Sequence, residues 1–160
     1  PAELLQPLEL NQGAPVGFLL VSKLLVEAFG DAEPVLRLPA FLSGLAAFAL
    51  FVPLAYRLLP LAAARLAVCL FAVSTYLIGY AAEFKQYELD AAVAVGVTLL
   101  AVPVWRNEAG PWRLVAFALA GAGSVWFSHP AAFVLGGVGL ACLGDAVVRH
   151  DRPALVARLA

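Results

Sequence analysis

The sequence predicts an all-α fold: a polytopic membrane helix bundle of about five transmembrane helices and one interfacial amphipathic helix. Three observations predict it. The chain is 63% hydrophobic and 13% charged, whereas a soluble domain is closer to half apolar and a quarter charged. Its mean hydropathy is +0.92. Its apolar residues also fall in long runs, separated by Pro, Gly and clusters of charge. A helix needs about 20 such residues to cross a bilayer.

The elements are read in order as parts of one domain. Residues 1–30 form an outer loop with the interfacial helix at Pro15 to Gly30. That stretch is short for a span and places Lys23 and Glu27 four residues apart on one helical face. A sixth, shorter span is the rival reading. Spans are then expected at 33–58, 61–80, 84–105, 112–128 and 130–149, with 150–160 as a cytoplasmic segment. Asp31-Ala32-Glu33-Pro34 reads as an N-cap and first turn. The third span reaches crossing length if its helix begins near Phe84. Tyr56, Tyr80, Trp105, Trp112 and Trp126 stand at span ends, as interfacial aromatics do. Gly136, Gly137 and Gly139 are expected to allow close helix packing.

Numbering the sides alternately along five spans puts Arg57, Arg65, Arg106, Arg113, Arg149, Arg152 and Arg158 together, and only Lys23, Arg37 and Lys85 opposite. That seven-to-three split makes the Arg-rich side cytoplasmic. Eight of the eleven acids fall on the outer side, as does His129. The formal net charge of −1 supplies no basic surface for nucleic acid. Cys69 and Cys142 lie inside apolar runs and read as small buried hydrophobes rather than a disulfide or metal pair. No HExxH, CxxC, Walker or GxGxxG pattern occurs. No metal set and no cofactor is evident, and dependence on a divalent metal is left open. There is no methionine and residue 1 is Pro, so the chain is expected to be part of a longer protein.

The densest polar segment is Tyr80-Ala81-Ala82-Glu83-Phe84-Lys85-Gln86-Tyr87-Glu88-Leu89-Asp90, between two long apolar runs. Polar groups beside membrane-length segments are costly to bury, so they mark a membrane surface or a functional cavity. Each has a structural reading too. Acids at a helix start complement its dipole, Lys85 can snorkel to lipid phosphates, and His129 can be a solvated turn residue. Arg37, one turn inside an apolar helix, calls for an acid or an anion.

Three ordered segments carry a resemblance. They are Asn11-Gln12-Gly13-Ala14-Pro15, then Phe29-Gly30-Asp31-Ala32-Glu33 with Leu36-Arg37-Leu38-Pro39, then the Tyr80–Asp90 segment. The set resembles integral-membrane glycosyltransferases of the GT-C class, in particular the groups related to protein O-mannosyltransferases and lipid A aminoarabinose transferases. Relatives carry an H-P-P-L-Y-like segment, then G-x-S/D-E-x-x-x-R-L-P, then Y-x-x-E-x-K-Q-Y-x-x-D. This chain lacks the His of the first and has Ala32 where the second has Ser or Asp. The likeness covers about residues 1–130.

The resemblance implies an inverting transfer of a hexosyl or pentosyl group from a polyprenyl-phosphate donor to a lipid, glycan or protein acceptor. It implies an inner (plasma) membrane, bacterial setting with the site facing the periplasm or exterior, and membrane lipids as partners. It also implies a catalytic Asp-Glu pair in an outer loop before Pro1. The catalytic residue is therefore unknown here, and the chain is expected to be inactive by itself. Donor-binding candidates are Lys85, Arg37, Glu83, Gln86, Tyr87 and Asp90, with Asn11, Gln12 and His129 as weaker ones. On a continuous helix Glu83, Tyr87 and Asp90 share a face and Lys85 points elsewhere. All can line one groove only if the helix starts between them. A transporter or flippase fragment, and a non-catalytic membrane subunit, stand as alternatives.

The basic split sets a topology that can be measured. In a Cys-free background, an impermeant thiol reagent added from outside should label a cysteine at position 85 or 129 and spare one at 57 or 106. Labelling at 106 with none at 85 would reverse the orientation.

Overall fold

A computed structural model of the chain describes residues 14–106 and 108–159. These residues form seven α-helices and, among them, no strand: α1 (Val16–Phe29), α2 (Glu33–Leu58), α3 (Leu61–Ala72), α4 (Thr75–Ala81), α5 (Tyr87–Trp105), α6 (Pro111–Phe127) and α7 (Ala131–Leu159). Two of them, α2 and α5, are long and apolar enough to cross a membrane, and α3 with α4 makes a third if the bent pair is one span. That is fewer than the five expected. α6 has 17 residues, and the apolar part of α7 is the short stretch Ala131–Asp145.

The centre of the bundle is the pair α2 and α5, with α6 and α7 against α5 and α1, α3 and α4 against α2. The pair runs parallel. Gly44 meets Glu88 and Leu50 meets Gly96, and at the far end Arg106 Nη2 donates to the Arg57 carbonyl at 2.6 Å. Small residues make the close approach possible. Ala40, Ala47, Ala55, Ala92 and Ala101 are buried along this seam. In lipid there is no hydrophobic gain from one helix meeting another, so close van der Waals packing of small residues supplies the contact. The large apolar side chains point outward instead: Leu66, Leu119, Phe133 and Leu140 are all exposed. Such a surface suits hydrocarbon, not water.

Several expectations need correction. The run 61–80 is not one straight span. It breaks at Val73–Ser74 into α3 and α4, bent by 46°. Val73 and Thr75 are β-branched and stiff at χ1, and Ser74 favours an N-cap conformation over helix interior. It takes an extended backbone there. The third span begins at Tyr87 rather than near Phe84, because residues 82–86 form a turn. The Ala82 and Glu83 N–H groups donate back to Gly79 and Tyr80, and the Lys85 N–H to the Glu83 carbonyl. α2 is capped by Ala32 rather than Asp31, with Pro34 in its first turn. α7 does not stop at 149 but continues to Leu159: charge ends a span, not a helix. Gly136, Gly137 and Gly139 have nothing packed on them, so they serve no close helix contact among the described residues. Cys69 is exposed and Cys142 half-buried; both are free.

α1 is anchored rather than loosely laid on. Gly17 sits so close to α6 that a Cβ there would come within 2.8 Å of the Trp126 carbonyl oxygen. The Phe18 ring meets Phe84 at 5.6 Å between centroids. Lys23 and Glu27 pair at 3.7 Å on the outward face, as their spacing predicts.

Candidate functional site

Parallel packing of α2 and α5 gathers at one end of the bundle the described residues that the basic split assigns to the outer side. Four elements meet there: the first turns of α2, the α4–α5 turn, the start of α5, and the α6–α7 turn. Arg57 and Arg106 lie at the other end.

Lys85 sits in the α4–α5 turn, half-exposed, with Nζ 3.1 Å from Glu83 Oε2. Its ammonium also lies 5.7 Å from the centre of the Tyr87 ring, and Tyr87 packs on Tyr80 at 4.8 Å. The hydrogen bond and then the charge of Glu83 raise the Lys85 pKa above its ordinary value. A raised lysine pKa means the pairing contributes fully below the ordinary value of 10.5 and is lost only as pH rises through the higher folded value. The cation is therefore present throughout the neutral range. Arg37 pairs with Glu33 one turn earlier on α2, which answers its demand for an acid locally. It shares no ion-pair partner with Lys85.

Because α5 starts at Tyr87, the candidates divide between turn and helix. Glu83, Lys85 and Gln86 belong to the turn, with Gln86 as the residue before α5. Tyr87 and Asp90 belong to the first helical turn. The helix does start between Lys85 and Asp90, but Asp90 faces the α6–α7 connection, so the candidates do not all border one region. Glu83 no longer shares a helical face with Tyr87 and Asp90, as a continuous helix would require.

Asp90 turns toward the α6–α7 connection, where Ser128 and His129 stand beside it. Asp90 Oδ1 and Ser128 Oγ are both buried, and neither completes a hydrogen bond of good geometry. His129 itself is exposed and, with Val16, Val125 and Trp126, borders a small hollow of about 120 Å³. Asn11 and Gln12 lie outside the described residues.

Glu88 was not among the sequence candidates, and it is the least expected group in the structure. Its side chain is 1% exposed and its Oε1 has no hydrogen-bond partner. Its other oxygen lies so near α2 that a Cβ on Gly44 would stand 3.0 Å from it. Gly44 is about 16 Å along α2 from Glu33, at about 1.5 Å per residue. Glu88, beside Gly44, therefore lies about 16 Å along the bundle from the start of α2. The start of α5 is thus recessed. Glu88 also borders a cavity of about 250 Å³ between α2 and the α3–α4 break, otherwise lined by apolar side chains including Phe41, Leu45, Phe48, Phe71 and Ile78. The signal available in sequence was its place two residues before Asp90, in the first turn of the helix. The residue that shelters it, Gly44, is 44 positions away in the chain.

A second cavity of about 240 Å³ lies toward the opposite end, by Leu58, Trp105 and Cys142. Its Thr98 hydroxyl is already committed to the Ala94 carbonyl at 2.7 Å, so it offers little for chemistry. No group of three or more His, Cys, Asp or Glu side chains converges on a metal-sized space among the described residues. Compared with known proteins, the chain matches no family model, no curated protein and no solved structure.

The Gly44–Glu88 approach makes opposite expectations for two glycines on the same seam. Gly96→Ala meets only Leu50 at an ordinary 3.5 Å, so helix propensity should leave stability unchanged or raise it by up to about 1 kcal/mol. Gly44→Leu overpacks the Glu88 pocket and should cost roughly 1–3 kcal/mol. Thermal unfolding in detergent checks both. Glu88→Ala in the Gly44→Leu background should recover part of the loss, since contacting residues couple.

Proposed function

We propose that this chain forms part of a membrane glycosyltransferase that takes a sugar from a polyprenyl-phosphate carrier at the end of the bundle where Lys85 lies. Five crossings belong to this reading, with α3–α4 as a broken span and α6 and α7 as short ones. α1 lies in the interface and the Lys85 end faces the exterior or periplasm. The observation that carries it is the α4–α5 turn. It presents a half-exposed, charged Lys85 beside two tyrosines at the edge of an apolar bundle, where a lipid phosphate would lie.

The chemistry is that of leaving-group stabilisation. As the sugar departs, negative charge develops on the carrier phosphate, and a fixed cation lowers the barrier. Lys85 supplies a point charge and Arg37 a bidentate fork. Each already holds one acid. Half-exposed pairs of this kind are worth about 0–1 kcal/mol, so a phosphate can displace or share the acid at small cost. Tyr80 and Tyr87 offer hydroxyls and ring faces to a sugar, and Glu83 and Gln86 offer polar atoms at the same turn. Asp90 is turned to Ser128 and His129, away from the Lys85 turn, so it does not touch the sugar in this reading.

One observation favours the transporter reading. A carboxylate recessed in the membrane next to a broken helix is the usual arrangement at a transport site. Glu88 beside the α3–α4 break fits that description.

Donor titration on the purified full-length protein separates the readings. Lys85→Ala and Arg37→Ala should each raise the donor concentration needed for half-maximal rate, by roughly 10- to 150-fold for a lost charged hydrogen bond. Glu88→Gln should leave that value unchanged. Donor dependence unchanged in both cation variants would end the phosphate assignment. Substrate-dependent ion flux abolished by Glu88→Gln would install the transporter instead.

A further inference from the structure

Glu88 is an unusual group to leave unexplained. Its carboxyl is buried, one oxygen has no partner, and it borders an apolar cavity opened by the α3–α4 bend. Four of the described cations are engaged elsewhere, Lys23 with Glu27, Arg37 with Glu33, Lys85 with Glu83, and Arg106 with the Arg57 carbonyl, and no described cation lines the cavity beside Glu88. A buried polar group without a hydrogen bond is costly. Something that donates a hydrogen bond from within the cavity would remove that cost.

The cavity constrains the donor. Its walls are Phe41, Leu45, Phe48, Phe71, Leu77 and Ile78, and Leu45 and Ile78 are exposed to the bundle's outer surface. Entry is therefore lateral, from the lipid. The volume of about 250 Å³ is below the range of pockets that enclose a drug-sized ligand, so it takes a piece of one chain rather than a bulky headgroup. A phosphate is excluded by the carboxylate and by the absence of a cation at the cavity wall among the described residues. A cationic headgroup would have to shed its own strongly held hydration to reach Glu88, and a buried ion pair repays that poorly. A neutral hydroxyl needs no charge compensation and can both donate to and accept from a carboxyl group.

We infer that the groove between α2 and the α3–α4 break is a binding site for the hydroxyl end of a neutral long-chain lipid alcohol, with Glu88 as its hydrogen-bond partner. The chain lies across Phe41, Leu45, Phe48 and Ile78, and the hydroxyl reaches inward past Ala81 to Glu88. The site stands apart from the Lys85 turn and does not depend on sugar transfer.

The probe is a sixteen-carbon alcohol carrying a photoreactive diazirine in its chain, added to the full-length protein in phosphatidylcholine nanodiscs. Two analogues replace the hydroxyl with a methyl group or a phosphate. After irradiation, mass spectrometry locates the adducts. The alcohol should label residues 41–48 and 71–81, roughly three- to tenfold above the methyl analogue, the range one net hydrogen bond supplies. The phosphate analogue should label no more than the methyl one. Glu88→Leu should bring the alcohol down to the methyl level, while Glu88→Gln, whose amide still bonds a hydroxyl, should retain most of the excess. Leu45→Trp, at an outward position that does not threaten folding, should block labelling as well. Equal labelling by alcohol and methyl analogues would overturn the inference, as would an excess that survives Glu88→Leu. No labelling of either segment would overturn it too, and is expected if a protein segment rather than a lipid fills the groove.

Discussion

The structure turns on the burial of the first turn of α5 inside an apolar bundle. A helix that begins at the membrane surface can present its acids to water. α5 begins deeper, level with Gly44 on α2, so Glu88 and Asp90 are taken out of solvent at the point where the chain reverses. Everything nearby follows from housing that end. α2 must supply a glycine where Glu88 touches it. α4 must be short and tilted, which the break at Val73–Ser74 allows. The turn 82–86 must carry its own pairing, which Glu83 and Lys85 provide. The α6–α7 connection must bring Ser128 and His129 over Asp90. The same recess creates the apolar cavity beside Glu88, because a bent α4 cannot fill the space against α2 that a straight helix would.

Magnitudes separate the polar groups into two kinds. The Arg37–Glu33 and Lys85–Glu83 pairs have partly exposed side chains, between 48% and 73%. Pairs so exposed contribute about 0–1 kcal/mol, so they hold nothing in place that lipid packing would not. They can exchange partners at small cost. Glu88 and Asp90 are the reverse. A buried polar atom lacking a hydrogen bond costs about 1–3 kcal/mol, and the fold tolerates two such carboxyl oxygens within one helical turn. A cost of that size, set at one place, is one that no side chain among the described residues offsets.

Much of the helical layout was legible in the sequence. α2 falls at 33–58 as its Pro34 start and Arg57 end suggest, and the Lys23–Glu27 pair forms at its helical spacing. Trp105, Trp112 and Trp126 lie exposed at helix ends. What escaped notice depends on contacts between distant residues. Hydropathy treats Leu61–Tyr80 as one run, since a bend at Ser74 removes no apolar residue. It cannot place Gly44 opposite Glu88. It therefore could not tell an acid at a helix start facing water from one facing another helix. Lys85 was legible because a lone cation in a polar turn stands out by itself. Glu88 was hidden among five ionisable neighbours, and only burial distinguishes it from Glu83.

The recessed placement of Glu88, beside a groove that opens to the bundle's apolar surface, can be measured by carboxyl chemistry. The protein in nanodiscs is treated in parallel with an apolar carbodiimide that partitions into the bilayer and with a water-soluble one plus an amine. Modification at each acid is then counted by mass spectrometry. Glu27 and Glu33, both largely exposed, should react with the water-soluble reagent. Glu88 should react with the apolar reagent alone. Glu88 modified by the water-soluble reagent as readily as Glu27 would place it in solvent and remove the basis for both the recessed α5 and the groove beside it.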